Sequence, residues 1–128
     1  MRRVRVAAVV ALAVMGAVSA RASDARMDNG TLQKAITGKI VHLATPLGAL
    51  PINYRVDGTM WGRAGTLSVY TGSDRDRGRW WIAADKLCQR WNNWLGGKSY
   101  CFTLRQEGPV VHWTRSDGLQ GTATIARQ

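Results

Sequence analysis

Leu87-Cys88-Gln89-Arg90-Trp91-Asn92-Asn93-Trp94-Leu95-Gly96-Gly97-Lys98-Ser99-Tyr100-Cys101-Phe102-Thr103-Leu104-Arg105 is the stretch on which the fold turns. Cys88 and Cys101 are the only cysteines, with twelve residues between them. Tyr100, Phe102 and Leu104 alternate with Ser99, Cys101, Thr103 and Arg105, the period-two pattern of a strand with one buried face. If the strands carrying Leu87–Trp91 and Ser99–Arg105 pair antiparallel with Cys88 opposite Cys101, then Leu87 faces Phe102 and Gln89 faces Tyr100. Directly opposed residues have Cα atoms about 4.5–5.5 Å apart, which a disulfide can span. The reading is a staple across a hairpin, with a loop from about Asn92 to Lys98, and the bridge on the face opposite Tyr100, Phe102 and Leu104. A metal site would need a second Cys pair or a nearby His, and a redox motif would need Cys-x-x-Cys; neither is present.

The same periodicity spreads outward from the hairpin. Leu50, Ile52, Tyr54 and Val56 alternate with polar or turn residues, as do Leu67 and Val69, and Leu119, Gly121, Ala123 and Ile125. Asp57-Gly58, Gly72-Ser73-Asp74, Asn92-Asn93, Gly96-Gly97, Gly108-Pro109 and Asp117-Gly118 supply turns between them. Connections this short exclude parallel crossovers, which need a dozen residues or more. The expected fold is all-β: an antiparallel meander of seven or eight strands forming a small barrel or strongly bent sheet, with one disulfide. One short helix precedes it, Thr31–Thr37 with Gly38 as its stop. A similarity between Tyr54–Gly62 and Trp113–Gly121, each an aromatic strand, an Asp-Gly turn and a Gly-bearing return, follows from shared turn rules.

Upstream, Arg2, Arg3 and Arg5 precede an apolar run from Val6 to Val18 and then small residues, the pattern of a secretory leader cut after Ala20 or Ala22. The run is too short to span a bilayer, which takes roughly 20 apolar residues. The chain therefore divides into a leader at 1–22, a loose segment at 23–30 and a single β domain at 31–128. Localisation outside the cytoplasm, in the periplasm or secreted, agrees with a disulfide. With the leader removed after Ala20, 15 Lys/Arg stand against 8 Asp/Glu, a net charge of +7. Such a surface favours an acidic glycan, a glycolipid or an acidic protein as partner, and export removes nucleic acid from the expected partners.

No catalytic constellation emerges. Asp57 and Asp117 belong to Asp-Gly turns, Asp74, Asp76 and Glu107 to polar loop stretches, and Asp85 is one carboxylate without a partner. His42 and His112 have no ligand spacing and no nucleophile elbow beside them. The expectation is a non-enzymatic binding module without metal or cofactor; an inhibitor or accessory protein and a small hydrolase are the alternatives. The unusual feature is six tryptophans. Core demand absorbs two or three of them, since buried indole N–H groups need partners. Trp80, Trp81, Arg90, Trp91, Trp94 and Lys98 are therefore the candidate binding residues, indole faces beside basic groups around the hairpin loop. Packing beneath loops gives the same composition, so both readings stand.

Gly78-Arg79-Trp80-Trp81, Leu87-Cys88-Gln89-Arg90-Trp91 and Tyr100-Cys101-Phe102 together resemble a group of small exported alpha-proteobacterial proteins of unknown function. In that group a Gly-x-Trp strand leads to a Leu-Cys-x-x-Trp hairpin closed by a second Cys. The resemblance runs from about Gly38 to the C-terminus and implies export and the disulfide, with no activity to carry over.

Overall fold

A computed structural model of the chain describes residue 3 and residues 25–126. Apart from Arg3, the expected leader at 1–22 lies outside the described residues. Eight strands follow one another: β1 (Lys39–Thr45), β2 (Gly48–Tyr54), β3 (Thr59–Arg63), β4 (Arg75–Ala83), β5 (Lys86–Trp91), β6 (Ser99–Glu107), β7 (Val110–Arg115) and β8 (Gln120–Ala126). Each pairs antiparallel with the next, and β8 returns to β1 with Val41 opposite Ile125, so the meander closes into a barrel. Closure removes both sheet edges and places every inward side chain in one interior.

The hairpin register read from the sequence is the one observed: Leu87 faces Phe102, Cys88 faces Cys101 and Gln89 faces Tyr100. The disulfide joins Cys88 and Cys101 across Cα atoms 4.0 Å apart, on the outer side of the wall. Opposite Cys88 on β4 stands Trp81, which is exposed, while its neighbour Trp80 points inward and is buried. Adjacent residues of a strand take opposite faces, so the Trp80–Trp81 pair splits between interior and solvent.

The helix α1 spans Asn29–Ile36. Asp28 caps it, its side chain accepting the Thr31 N–H at 2.8 Å, and that bond holds the Asp28 carboxyl below its ordinary range. Leu32 and Ile36 are buried and turned into one end of the barrel. Residues expected to be loose are held: the Met27 N–H donates to the Leu104 carbonyl at 2.8 Å, Arg26 bridges Arg105, and Met27 is buried. Asn29 and Asp85 exchange two bonds, of 2.8 and 2.7 Å, that lock the helix onto the β4–β5 turn. Asp85 is thereby a positioning group of the helix.

A second departure lies at Leu67–Val69, expected as a strand. The segment is a 3₁₀ turn (Gly65–Leu67) running into a four-residue helix, α2 (Ser68–Thr71). Two apolar residues at i and i+2 are too few to hold a strand once only Leu67 is buried and Val69 faces solvent. Val56 is also in solvent, in the turn after β2. Nor is Asp76 a loop residue: it sits in β4 on the inward face and is buried.

Candidate functional site

The barrel has two unlike ends. The turns β2–β3, β4–β5 and β6–β7 gather at the end closed by α1. The turns β1–β2 and β7–β8 and the long connections β3–β4 and β5–β6 gather at the other. Between them the interior is divided lengthwise, and glycine decides how.

Along β3 and β4 the inward positions include Gly62 and Gly78. A Cβ on Gly62 would lie 2.5 Å from Trp94 Cζ3 and 2.7 Å from Trp91 Cη2. A Cβ on Gly78 would lie 2.2 Å from the Arg90 carbonyl oxygen and 2.8 Å from Met60 Cε. The bare backbone of this wall is thus the floor on which Trp91 and Trp94 lie, with ring centroids 4.6 Å apart. Trp80 stands edge-on to Tyr54 at 5.8 Å, and its indole N–H donates to the Arg55 carbonyl at 2.9 Å. Four large side chains, Met60, Trp80, Trp91 and Trp94, fill this half of the barrel.

The other half is hollow. A cavity of about 410 Å³ runs from Ile36 at the helix end to Tyr70, Leu95 and Leu119 at the open end. Its walls come from β1, β2 and β5 to β8, with Val41, Leu43, Leu50, Ile52, Leu104, Val111, Ala123 and Ile125 as the aliphatic lining. Phe102 and Trp113 meet edge-to-face at 5.5 Å on one side. Trp113 lies flat over β8 because Gly121, directly opposite it, has no side chain; a Cβ there would come 2.3 Å from Trp113 Cζ2. Trp113 Nε1 is buried against that wall without a hydrogen-bond partner, a cost of about 1–3 kcal/mol.

Polar lining is sparse and mostly matched. Tyr54 donates to Gln89 Oε1 at 2.6 Å deep in the barrel, and burial pushes the Tyr54 phenol well above its ordinary range. At the mouth the Arg115 guanidinium is held by both oxygens of Asp117, at 2.8 and 2.7 Å, and lies over the Tyr100 ring. Those bonds raise Arg115 and hold the Asp117 carboxyl below its usual range.

Asp76 builds the open end. Burial alone would raise its pKa; the backbone N–H groups of Trp94, Asn93 and Arg77 and the Asn93 amide outweigh burial and hold the carboxyl low. It accepts the Trp94 and Asn93 N–H groups at 2.8 Å each and Asn93 Nδ2 at 3.2 Å. The connection after β5 is thereby folded back so that Trp94 enters the barrel, where its indole N–H donates to Ser73 Oγ at 2.9 Å.

The residues singled out in the sequence do not form one surface. Trp80, Trp91 and Trp94 are buried, the last two only 4% exposed. The expected surface cluster of indoles is replaced by an internal one, in which Trp91 and Trp94 border the cavity. Trp81 remains outside, as do Arg90, whose Nε donates to the Gly97 carbonyl at 2.9 Å, and Lys98. The exposed indole of note is Trp61, absent from the expected set. It sits on the outer wall between the guanidinium groups of Arg55 and Arg77, 4.8 and 4.2 Å from its ring centroid. Its position was legible as the outward partner of Met60 in Thr59–Arg63. His42 faces outward on β1, and His112 Nε2 lies 2.9 Å from Glu107 Oε2 on the outside of the β6–β7 hairpin. Among the described residues no group of three His, Cys, Asp or Glu is placed to hold a metal ion, and no helix is long and apolar enough to cross a membrane.

No protein-family model, curated protein or solved structure matches the chain.

Proposed function

We propose that the protein is a binding module of a compartment outside the cytoplasm, and that its site is the hollow half of the barrel. The ligand is one small, largely apolar molecule, an aliphatic chain or a small ring system. The cavity of about 410 Å³ is the observation that carries this reading. It falls within the roughly 300–1,000 Å³ of typical small-molecule sites, whose linings are likewise apolar with a few placed polar groups. Unoccupied, its apolar lining forgoes the packing contacts that a filled core would make. A sequence with Val41, Val111 and Ala123 at lining positions where larger residues would close the space is better understood as keeping it open for an occupant.

The lining moves the expected ligand away from glycans. A sugar needs hydrogen bonds around its ring, whereas this lining offers few polar groups, and of these Tyr54 bonds Gln89 Oε1 and Arg115 is held by Asp117. The disulfide supports a place outside the cytoplasm, where such bonds persist.

Titration with N-phenyl-1-naphthylamine tests the site. Saturable one-to-one binding is expected, with energy transfer from Trp91 and Trp113, which border the space. Ala123→Phe and Val41→Phe, each adding a ring inside the cavity, should abolish it while far-ultraviolet circular dichroism stays native. Absence of saturable binding by the wild-type chain, or unchanged binding in both folded variants, refutes the reading.

A further inference from the structure

Every connection at the open end places a large apolar side chain in solvent. Leu47 comes from the β1–β2 turn, Val69 and Tyr70 from the β3–β4 connection, Leu95 from β5–β6 and Leu119 from β7–β8. Val69 is 85% and Tyr70 77% exposed. Single exposed apolar residues need no explanation, but a ring of five framing the mouth of an apolar cavity does. Tyr70, Leu95 and Leu119 belong to the rim and to the cavity lining at once, so the apolar surface is continuous from solvent to interior.

Charge on the same end is positive. Asp117 is matched by Arg115 at 2.7 Å, Asp74 lies 4.0 Å from Arg75, and the buried Asp76 carboxylate is taken up by the turn after β5, while Arg63, at the end of β3, and Lys98, before β6, add two cations. Below them Arg77, Arg79 and Arg90 continue down the outer wall, Arg79 directly opposite Arg90. Alternate residues of a strand are about 7 Å apart, so Arg75, Arg77 and Arg79 form a row of roughly 14 Å leading to the rim.

We propose that this rim docks on an anionic lipid bilayer and that the apolar ligand passes between bilayer and barrel through it; this rests on the lumen being the binding site. Five side chains are far fewer than the roughly 20–30 residues a side of a stable protein interface, which disfavours a second protein as the occupant. They suffice to enter the boundary between headgroups and acyl chains, where apolar insertion and electrostatic attraction act together. The arginine row keeps the barrel from sinking further, since an arginine on a lipid-facing barrel wall costs about 2–4 kcal/mol at mid-bilayer. A ligand leaving the bilayer by this route never crosses water.

Co-sedimentation of the full-length chain with vesicles of phosphatidylglycerol and phosphatidylcholine, against pure phosphatidylcholine, tests the proposal. All variants share residues 1–22, so any contribution of that segment cancels. The wild type should prefer the anionic vesicles and release with salt. Val69→Ser/Tyr70→Ser/Leu119→Ser, all at exposed positions, should lower partitioning roughly tenfold or more. Arg63→Gln/Lys98→Gln should lower it on anionic vesicles by about fivefold per charge and leave the neutral ones unchanged. Equal partitioning of wild type and rim variant overturns docking, as does indifference to lipid charge. So does a wild-type dimer in sedimentation velocity that the rim variant loses. N-phenyl-1-naphthylamine binding without vesicles separates the two readings. Probe uptake without docking removes only the docking. Docking without uptake removes the lumen reading and the transfer route with it.

Discussion

Replacing Asp76 by Ala should unlatch the open end of the barrel. The carboxylate accepts three hydrogen bonds from the turn after β5, two of them from Asn93 and one from the buried Trp94 N–H. Bonds to a charged acceptor are worth about 1.5–3 kcal/mol each. Asn93 is exposed and its donors can return to water, so the Trp94 N–H, left buried and unpaired, sets most of the loss. We expect destabilisation of about 2–3 kcal/mol in urea unfolding, or a melting temperature lower by roughly 10–20 °C. The pH dependence carries the sign. Because the folded carboxyl is held below the ordinary 3.8, its contribution is complete above that value and is lost as pH falls through the depressed one. Wild type and Asp76→Ala should therefore differ fully at pH 7 and converge below about pH 4. The other depressed carboxyls, Asp28, Asp57 and Asp117, are common to both proteins and cancel in the difference. A gap that is the same at pH 3 and pH 7, or no gap at all, would refute the assignment of Asp76 as the latch.

Gly78→Ala should cost more than Gly121→Ala: its Cβ meets the Arg90 carbonyl of the neighbouring strand at 2.2 Å, whereas at Gly121 the obstacle is the Trp113 ring at 2.3 Å, which can swing into the hollow. Urea unfolding should rank them so, and Gly121→Ala should weaken N-phenyl-1-naphthylamine binding by putting Trp113 in its path. Cys88→Ser/Cys101→Ser should lower stability by about 3 kcal/mol, the chain-entropy value for so short a loop, with far-ultraviolet circular dichroism unchanged because the ladder of Leu87–Arg90 on Ser99–Phe102 needs no bridge to set its register. Tyr54→Phe should cost about 1–3 kcal/mol at neutral pH by leaving Gln89 Oε1 without its donor. Burial keeps the Tyr54 phenol neutral in the folded chain while the unfolded one ionises near pH 10, so the wild type should lose stability as pH rises above that and Tyr54→Phe should lose less.

The barrel was legible where short-range rules suffice. Two cysteines and an alternating run fix the register of β5 and β6, and turn residues fix the meander. The helix was legible from Leu32, Ala35 and Ile36, though its true cap, Asp28, lies three residues before the expected start. The indoles of Trp91 and Trp94 lie on the other side of the wall from where the sequence suggests. A pair such as Trp91 and Trp94 around Asn92-Asn93 looks like an exposed loop tip, and nothing local says that Asp76, sixteen residues earlier in what resembles a polar loop, will pull that loop inward. The useful signal was the glycine spacing. Gly62, Gly78 and Gly121 each fall on an inward position of a strand, where glycine serves close approach rather than a turn.

Those three glycines also explain how one small barrel can hold several indoles and a cavity together. An eight-stranded interior is just wide enough for side chains to fill it or for one small ligand to occupy it. Spread evenly, Trp80, Trp91, Trp94 and Trp113 would fill it. Glycine at Gly62 lets Trp91 and Trp94 lie against β3, and glycine at Gly121 lets Trp113 lie against β8, so aromatic bulk is pressed to the walls and the aliphatic half stays open. The arrangement has a cost that packing alone would avoid, an unpaired Trp113 N–H. A core under selection only for stability would favour Phe at that position and Val or Ile at Ala123. The sequence instead keeps the broad flat ring and, two residues along β8 from the glycine it covers, the small residue Ala123, the combination that leaves this wall shallow. Tryptophan here is a wall material, and the reading of function follows from what it leaves unfilled.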